Sequence, residues 1–489
     1  MIDALWYALH PWQVFLMLLG TALGITVGAI PGLTGAMLIA LSLPLTFAMA
    51  SKDALILLIS MYVGSISGGL ITATLLRMPG TPASMMTTLD GYPMARDGRP
   101  GRALGLGIGA SFIGGMISWV FLLLLSRPMS QLSLLMTKFD FFALVLMALV
   151  MIASVSGKSV VRGIFAGLLG MLLALPGLDP FTGQPRLTFG WTTLNGGLEL
   201  LPVLIGLFAV SQILKDILSI DEEAKPIAKT MDSMLLATRD WSRHAVNLIR
   251  SSVIGTWIGI LPGIGANIGS AVAYTAARGM SNEPEKFGQG SEEGIIASEA
   301  ANNATVGGAL IPLVAMGIPG SVIDAILLGA LVIHNLQPGP MLFDSKPDIV
   351  YIIIATMLLA NFAMFGIMLR LTGSIIRLVE IPCWLLIPSI LVFCVVGSYA
   401  LENRMFDVWV MLTFGLVGFG MERLRIPLAP FVIGFVLAPT AESSLGAALQ
   451  TSAGSFWPMF DPQGLAFYFV VVSLLLFIWP FFRSNTSSA

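Results

Sequence analysis

Gly255-Thr-Trp-Ile-Gly-Ile-Leu-Pro-Gly-Ile-Gly-Ala-Asn267, followed by Ala300-Ala-Asn-Asn-Ala-Thr-Val-Gly-Gly308 and Met316-Gly-Ile-Pro-Gly-Ser321, decides the reading of this chain. The apolar residues call for membrane helices, and two Pro-Gly pairs interrupt them. Proline lacks an N–H and pushes the residue before it out of helical geometry. Irregular backbone at membrane depth persists only where it is buried in protein or lines a wet cavity. The stretch therefore predicts broken helices. The same design occurs earlier. Gly24-x3-Gly28-x2-Pro31-Gly32 matches Gly255-x3-Gly259-x2-Pro262-Gly263 at an offset of 231, and Pro79-Gly80-Thr81 matches Pro319-Gly320-Ser321 at 240. Gly68-Gly69 matches Gly307-Gly308 at 239. Three matches in one order make an internal repeat.

Composition sets the class. The chain has 489 residues, of which 56% are apolar and 11% charged, against about 25% charged in a soluble domain. Residues 4–51, 54–76, 103–126, 251–277, 349–369, 381–401 and 463–482 carry no Asp, Glu, Lys or Arg. A membrane crossing needs about 20 apolar residues, so the expected fold is an all-α integral membrane protein with roughly 10–12 hydrophobic segments. No Lys or Arg precedes Lys52, which speaks against a cleavable signal peptide. The net charge of −2 gives no ground for a nucleic-acid partner. Cys383 and Cys394, eleven positions apart in one apolar run, read as packing residues.

Working outward, residues 1–218 form a first membrane half, 219–250 a polar connection and 251–489 a second half. The first unit should break near Ala29–Gly35 and again at Arg77–Ser84, then close in a polar loop, Asp90–Arg102. The connection carries Asp221-Glu-Glu223, Lys225, Lys229, Arg239, Arg243 and Arg250, and reads as cytoplasmic and partly an amphipathic helix. Basic residues favour the cytoplasm in short loops. Arg96, Arg99 and Arg102 close the first unit, whereas the equivalent His334–Asp348 has Lys346 against two acids. Equivalent loops therefore fall on opposite sides, which predicts inverted repeats with the N-terminus outside.

Inverted repeats with discontinuous helices describe a secondary transporter. A half-helix N-terminus presents free N–H groups that suit an anion such as a carboxylate. The expected substrate-binding residues flank the breaks: Pro31, Gly32, Thr34, Gly35, Arg77, Pro79, Gly80, Thr81, Ser84, Pro262, Gly263, Gly265, Asn267, Pro319, Gly320 and Ser321. Asn302, Asn303 and Thr305 are the expected ion-binding residues, with Na⁺ or H⁺ as coupling ion and no other cofactor or metal. For any single residue, helix capping or interhelical bonding is an equal alternative. Glu299 and Asp324 are the acids nearest the second unit's core; a membrane-embedded acid is a functional candidate, Glu299 as a cation ligand or proton carrier, but the plainer reading for both is the aqueous end of a helix. For Arg77, pairing with a substrate carboxylate competes with snorkelling to headgroups. Ser156-Gly157-Lys158-Ser159 resembles the end of a phosphate-binding loop, but the glycine such a loop needs is Ile152. No metalloprotease motif or nucleophile elbow occurs, so the chain is not expected to be an enzyme. A passive or gated anion channel is the alternative, and an intramembrane enzyme a more distant one.

Arg77-Met-Pro-Gly-Thr-Pro-Ala-Ser84 with Leu89-Asp-Gly-Tyr-Pro-Met-Ala95 resembles the large membrane subunit of the tripartite tricarboxylate transporters, the TctA family. So do Glu299–Pro312, Gly317–Ser321 and Gly329–Pro340, and the likeness runs from about 11 to 440. It implies a bacterial inner-membrane protein with two partners, a small four-helix membrane subunit and a periplasmic solute-binding protein. It also implies uptake of tri- or dicarboxylates driven by a Na⁺ or H⁺ gradient. Arg77 departs from the small polar residue expected there, which leaves the particular carboxylate open.

Overall fold

A computed structural model describes residues 1–30, 33–78, 81–155, 159–218, 238–263, 265–378, 383–400 and 402–483. The chain is helical almost throughout. A short helix α1 (Ile2–Ala8) leads into α2 (Pro11–Ala29), which starts with proline at its first position, where no N–H is needed. The backbone breaks and restarts as α3 (Gly35–Thr46), capped by the Thr34 hydroxyl accepting from Met37 N. Next come α4 (Ser51–Leu75), a second break, and α5 (Met85–Arg96). The first half continues through α6 (Pro100–Leu134), α7 (Lys138–Val155), α8 (Val160–Leu173), α9 (Leu200–Ile205) and α10 (Ser211–Leu218).

The second half repeats the plan. Helix α11 (Thr238–Ile260) breaks and restarts as α12 (Gly265–Met280). Then α13 (Glu292–Met316) ends at Gly317, in the left-handed region at φ 71°, and restarts as α14 (Val322–Ile333). A short α15 (Pro340–Ser345) precedes α16 (Pro347–Leu378), α17 (Cys383–Ala400), α18 (Met405–Arg423), α19 (Leu428–Thr451) and α20 (Leu465–Arg483). Among the described residues, α2, α4, α6, α16, α18 and α19 are long and apolar enough to cross a membrane, and six shorter apolar helices accompany them. The protein is an all-α, multi-pass membrane protein.

Helices α4 and α13, 25 residues each, form the centre and are buried nearly end to end. Their partners approach to backbone contact at related positions. A Cβ on Gly24 or Gly28 of α2 would lie 2.4 Å from Met61 O or 2.2 Å from Ser65 O of α4. On Gly255 or Gly259 of α11 it would lie 2.4 Å from Ala301 O or 2.5 Å from Thr305 O of α13. The α2–α11 pairs differ by 231 positions and the α4–α13 pairs by 240, the offsets read in the sequence. Small residues at helix crossings allow this approach in lipid. One pairing shifts. Gly68 packs on Ile25 O as Gly308 packs on Thr256 O, so Gly68 corresponds to Gly308 at 240, not to Gly307.

The two units meet in opposite senses. Tyr62, Ser67 and Thr87 of the first unit contact Ser321, Asn303 and Ser298 of the second, in reverse order. α13 therefore runs antiparallel to α4, as inverted repeats require.

Three expectations change. The polar stretch Asp90–Arg102 is not mainly a loop, because its first part is helix α5. Asp90 is fully buried and accepts N–H bonds from Gly288, Gly290 and Ser291 at 2.8–3.0 Å, and a hydroxyl bond from Tyr274. These tertiary contacts override the turn propensity of Gly91 and Pro93. Second, α11 begins at Thr238 inside the expected 219–250 connection and runs unbroken into the membrane run, while 219–237 lies outside the described residues. Third, a small hairpin, β1 (Gly177–Leu178) with β2 (Pro185–Arg186), joins α8 to α9. Asp179 folds its turn by accepting from Phe181 N and Thr182 N, which holds its carboxyl below the usual range.

Candidate functional site

Four half-helices follow the breaks, and they pair across the units. α3 lies beside α14. A Cβ on Gly35, which opens α3, would be 3.3 Å from Ile323 at the start of α14, and Thr46 at the far end of α3 is 3.3 Å from His334 just past α14. The two therefore run parallel, N-termini together. α12 lies against α5, joined by the Tyr274–Asp90 bond of 2.8 Å. The pairs meet end to end, since a Cβ on Gly265, opening α12, would be 4.0 Å from Ser321 Cβ at the N-cap of α14. N-termini of half-helices from both units thus converge at the crossing of α4 and α13. Each end carries positive partial charge worth about 0.3–1 kcal/mol to a nearby anion, up to about 2 when partly buried.

The breaks themselves are set by local chemistry. Thr81 N donates to Ser84 Oγ at 3.2 Å, and Ser84 Oγ returns a bond to Thr81 O at 2.8 Å. Both hydroxyls pack against Gly69 of α4. Ser321 Oγ accepts from Asp324 N at 3.3 Å. Thr81-x-x-Ser84 and Ser321-x-x-Asp324 stand at an offset of 240, but only Ser321 caps its helix through its side chain, while Ser84 N donates to the Thr81 carbonyl. Gly263 and Gly265 sit at φ 73° and 68°, where other residues are strained. Pro262, Gly263, Pro319 and Gly320 are buried, and Gly320 packs on Gly259 O and Ala309. Pro31, Gly32, Pro79 and Gly80 lie outside the described residues.

The expected ion-binding residues sit one layer away, inside the α4–α13 crossing. Asn303 Oδ1 accepts from Ser67 Oγ at 2.6 Å, and Asn302 Nδ2 reaches Ile66 O at 3.4 Å. Asn302 Oδ1 is buried, with no partner among the described residues. Thr305 Oγ1 donates to Asn302 O at 2.6 Å within its own helix. Asn267, on the first turns of α12, is exposed. Arg77 is also exposed, at φ 58°, with its guanidinium 5.5 Å from the Tyr92 ring.

At the meeting of the units Tyr62, Thr87 and Ser111 were not among the candidates, whereas Glu299 and Asp324 were weighed mainly as helix-end acids. Tyr62 of α4 reaches Ser321 Oγ at 3.2 Å and Asp324 Oδ2 at 3.5 Å. Glu299 accepts from Thr87 Oγ1 at 2.5 Å and Ser111 Oγ at 3.1 Å. Both Glu299 and Asp324 are fully buried, which sets aside the reading of either as the aqueous end of a helix. The available signal was the density of hydroxyls in the uncharged run 54–76, where Ser60, Tyr62, Ser65, Ser67, Thr72 and Thr74 all face protein. At the edge, Arg102 clasps Asp240 through two bonds of 2.8 Å and Glu292 through bonds of 3.1 and 3.2 Å, tying α6 to α11 and α13.

An all-helical membrane fold whose half-helices end on a common, polar-lined centre defines a solute-carrier class of protein. The comparisons with known proteins agree. The Tripartite tricarboxylate transporter TctA family matches residues 14–433, and the chain belongs to that family. It is 34% identical over 447 residues to an uncharacterized 52.8 kDa protein in the TAR-I ttuC' 3' region of Agrobacterium vitis, covering 91% of this chain and 89% of that one. A second relative, an uncharacterized protein in the TAR-II ttuC' 3' region of the same organism, is 34% identical over 200 residues, covering 41% of this chain and 83% of its own. No solved structure matches. The chain is thus a transporter subunit of a tripartite system.

Proposed function

We propose that this subunit forms the translocation path for a di- or tricarboxylate, driven inward by a Na⁺ or H⁺ gradient. The observation that carries the reading is the convergence of half-helix N-termini from both units at one place. Free N–H groups and positive helix ends suit carboxylate oxygens, and several ends together offset the charge of a multiply ionised acid. The inverted relation of the units supplies two alternative packings, one opening the centre to each side. A periplasmic solute-binding protein would deliver the acid and a small four-helix subunit would complete the membrane assembly. The N-terminus would lie on the periplasmic side of the inner membrane. Thr34, Gly35, Thr81, Ser84, Gly265 and Ser321 are the proposed substrate contacts, and Asn302, Asn303 and Thr305 support the ion side.

The test is uptake of labelled carboxylates into liposomes holding this subunit with both partners, under imposed Na⁺ and H⁺ gradients. Accumulation above the external concentration, abolished when the gradient is collapsed, is the expected result. Uptake that stops at equal concentrations would favour a channel.

A further inference from the structure

We infer that Asp324, with Ser321 and Tyr62, binds a small monovalent cation at the start of α14. The inference rests on the coupling proposed above and gives it a site. Asp324 is fully buried at the meeting of the two units, and among the described residues no Lys, Arg or His pairs with it. Its Oδ2 accepts from Ser321 Oγ at 2.5 Å and Tyr62 Oη at 3.5 Å. Its Oδ1 is buried, with no partner among the described residues.

That unpartnered oxygen separates Asp324 from the other embedded acid. Both Glu299 oxygens are taken by hydroxyls, so its environment is complete within the chain. At Asp324 neither protonation state satisfies Oδ1 from the groups of the described residues. Ionised, Oδ1 lacks a donor or counter-charge, and with the proton on Oδ2, donated to Ser321 Oγ, Oδ1 still lacks a donor. A cation in contact with Oδ1 resolves this. Carboxylate and hydroxyl oxygens are hard donors suited to an alkali ion, and isolated intramembrane acids mark ion or proton paths.

The position also explains coupling. Asp324 and Ser321 belong to the second unit and Tyr62 to the first, so occupancy bridges the units. An ionised Asp324 would repel a carboxylate at the adjoining N-termini of α3 and α14. A bound cation removes that repulsion, so cation and carboxylate favour each other's binding reciprocally.

The experiment follows thermal unfolding of the purified full-length chain, without carboxylate, in NaCl against choline chloride at constant ionic strength and at several pH values. Na⁺ should raise the midpoint of the wild type. Asp324→Asn should weaken the apparent Na⁺ affinity by at least about tenfold, and Tyr62→Phe by roughly three- to tenfold. A wild-type midpoint that follows pH and ignores Na⁺ overturns the inference, because protonation alone leaves Oδ1 without a partner. A wild type responding to neither Na⁺ nor pH also overturns it, as does a response kept within about twofold by both variants. If Asp324→Asn does not fold, Tyr62→Phe decides. Because no carboxylate is present, this result and the uptake result can fail independently.

Discussion

Gly28→Ala and Gly259→Ala probe the close packing that holds each broken helix to its buried partner. The added methyl of Gly28→Ala would lie 2.2 Å from Ser65 O, and that of Gly259→Ala 2.5 Å from Thr305 O. Both obstacles are backbone carbonyls inside helices, which no rotamer change can move. Against a minimum real approach of 3.0 Å the shortfalls are 0.8 and 0.5 Å, so α2 must shift from α4 further than α11 from α13. Overpacking of this kind costs about 1–3 kcal/mol, with Gly28→Ala the worse of the two. Gly366→Ala is the control. Its Cβ meets nothing within 4 Å in the middle of α16, and alanine is the better helix former by about 0.5–1 kcal/mol. The assay is thermal unfolding in detergent followed by size-exclusion chromatography. Both packing variants should unfold at lower temperature than wild type, and Gly366→Ala at the same or a higher one. If Gly28→Ala and Gly259→Ala match Gly366→Ala, the close approach of these helices is wrong.

Three further outcomes follow from the contacts between units. Ser67→Ala should destabilise by about 1–3 kcal/mol by leaving buried Asn303 Oδ1 unpartnered, and a cycle with Asn303→Ala should give a coupling of about 0.5–2 kcal/mol in the same unfolding assay. Arg102→Ala should cost about 1.5–3 kcal/mol by releasing Asp240 and Glu292, and Arg102→Lys should recover only part, since an ammonium cannot reproduce the forked bonds. Asp90→Ala frees the N–H groups of Gly288, Gly290 and Ser291, so a Gln289→Cys reporter should react faster with a soluble maleimide than in the Asp90 background.

The repeat was legible because its landmarks are residues with one structural job. Glycines that carry backbone contact, and prolines that end helices, leave the same mark wherever they stand. The pairing of half-helices across the units was not legible, since it depends on contacts between residues more than 200 positions apart, such as Tyr62–Ser321. Asp90 misled for a related reason. Surrounded by Gly91, Pro93 and three arginines, it reads as a loop acid, and only the N–H groups of 288–291 reveal why it is buried. Glu299 and Asp324 resembled helix-end acids because sequence gives no depth. The hydroxyls that surround them come from other helices: Thr87 and Ser111 for Glu299, Tyr62 for Asp324.

The central claim is that a carboxylate binds where the half-helices meet. Asn267 is exposed on the first turns of α12, two positions from the Gly265 contact with Ser321. The direct measurement is the labelling rate of Asn267→Cys by a small maleimide, with and without saturating carboxylate, in a transport-competent reconstituted complex. The substrate should slow labelling there severalfold and leave Glu285→Cys, exposed in the polar loop after α12, unchanged. Equal rates at Asn267→Cys with and without a carboxylate that the same preparation transports would contradict the account.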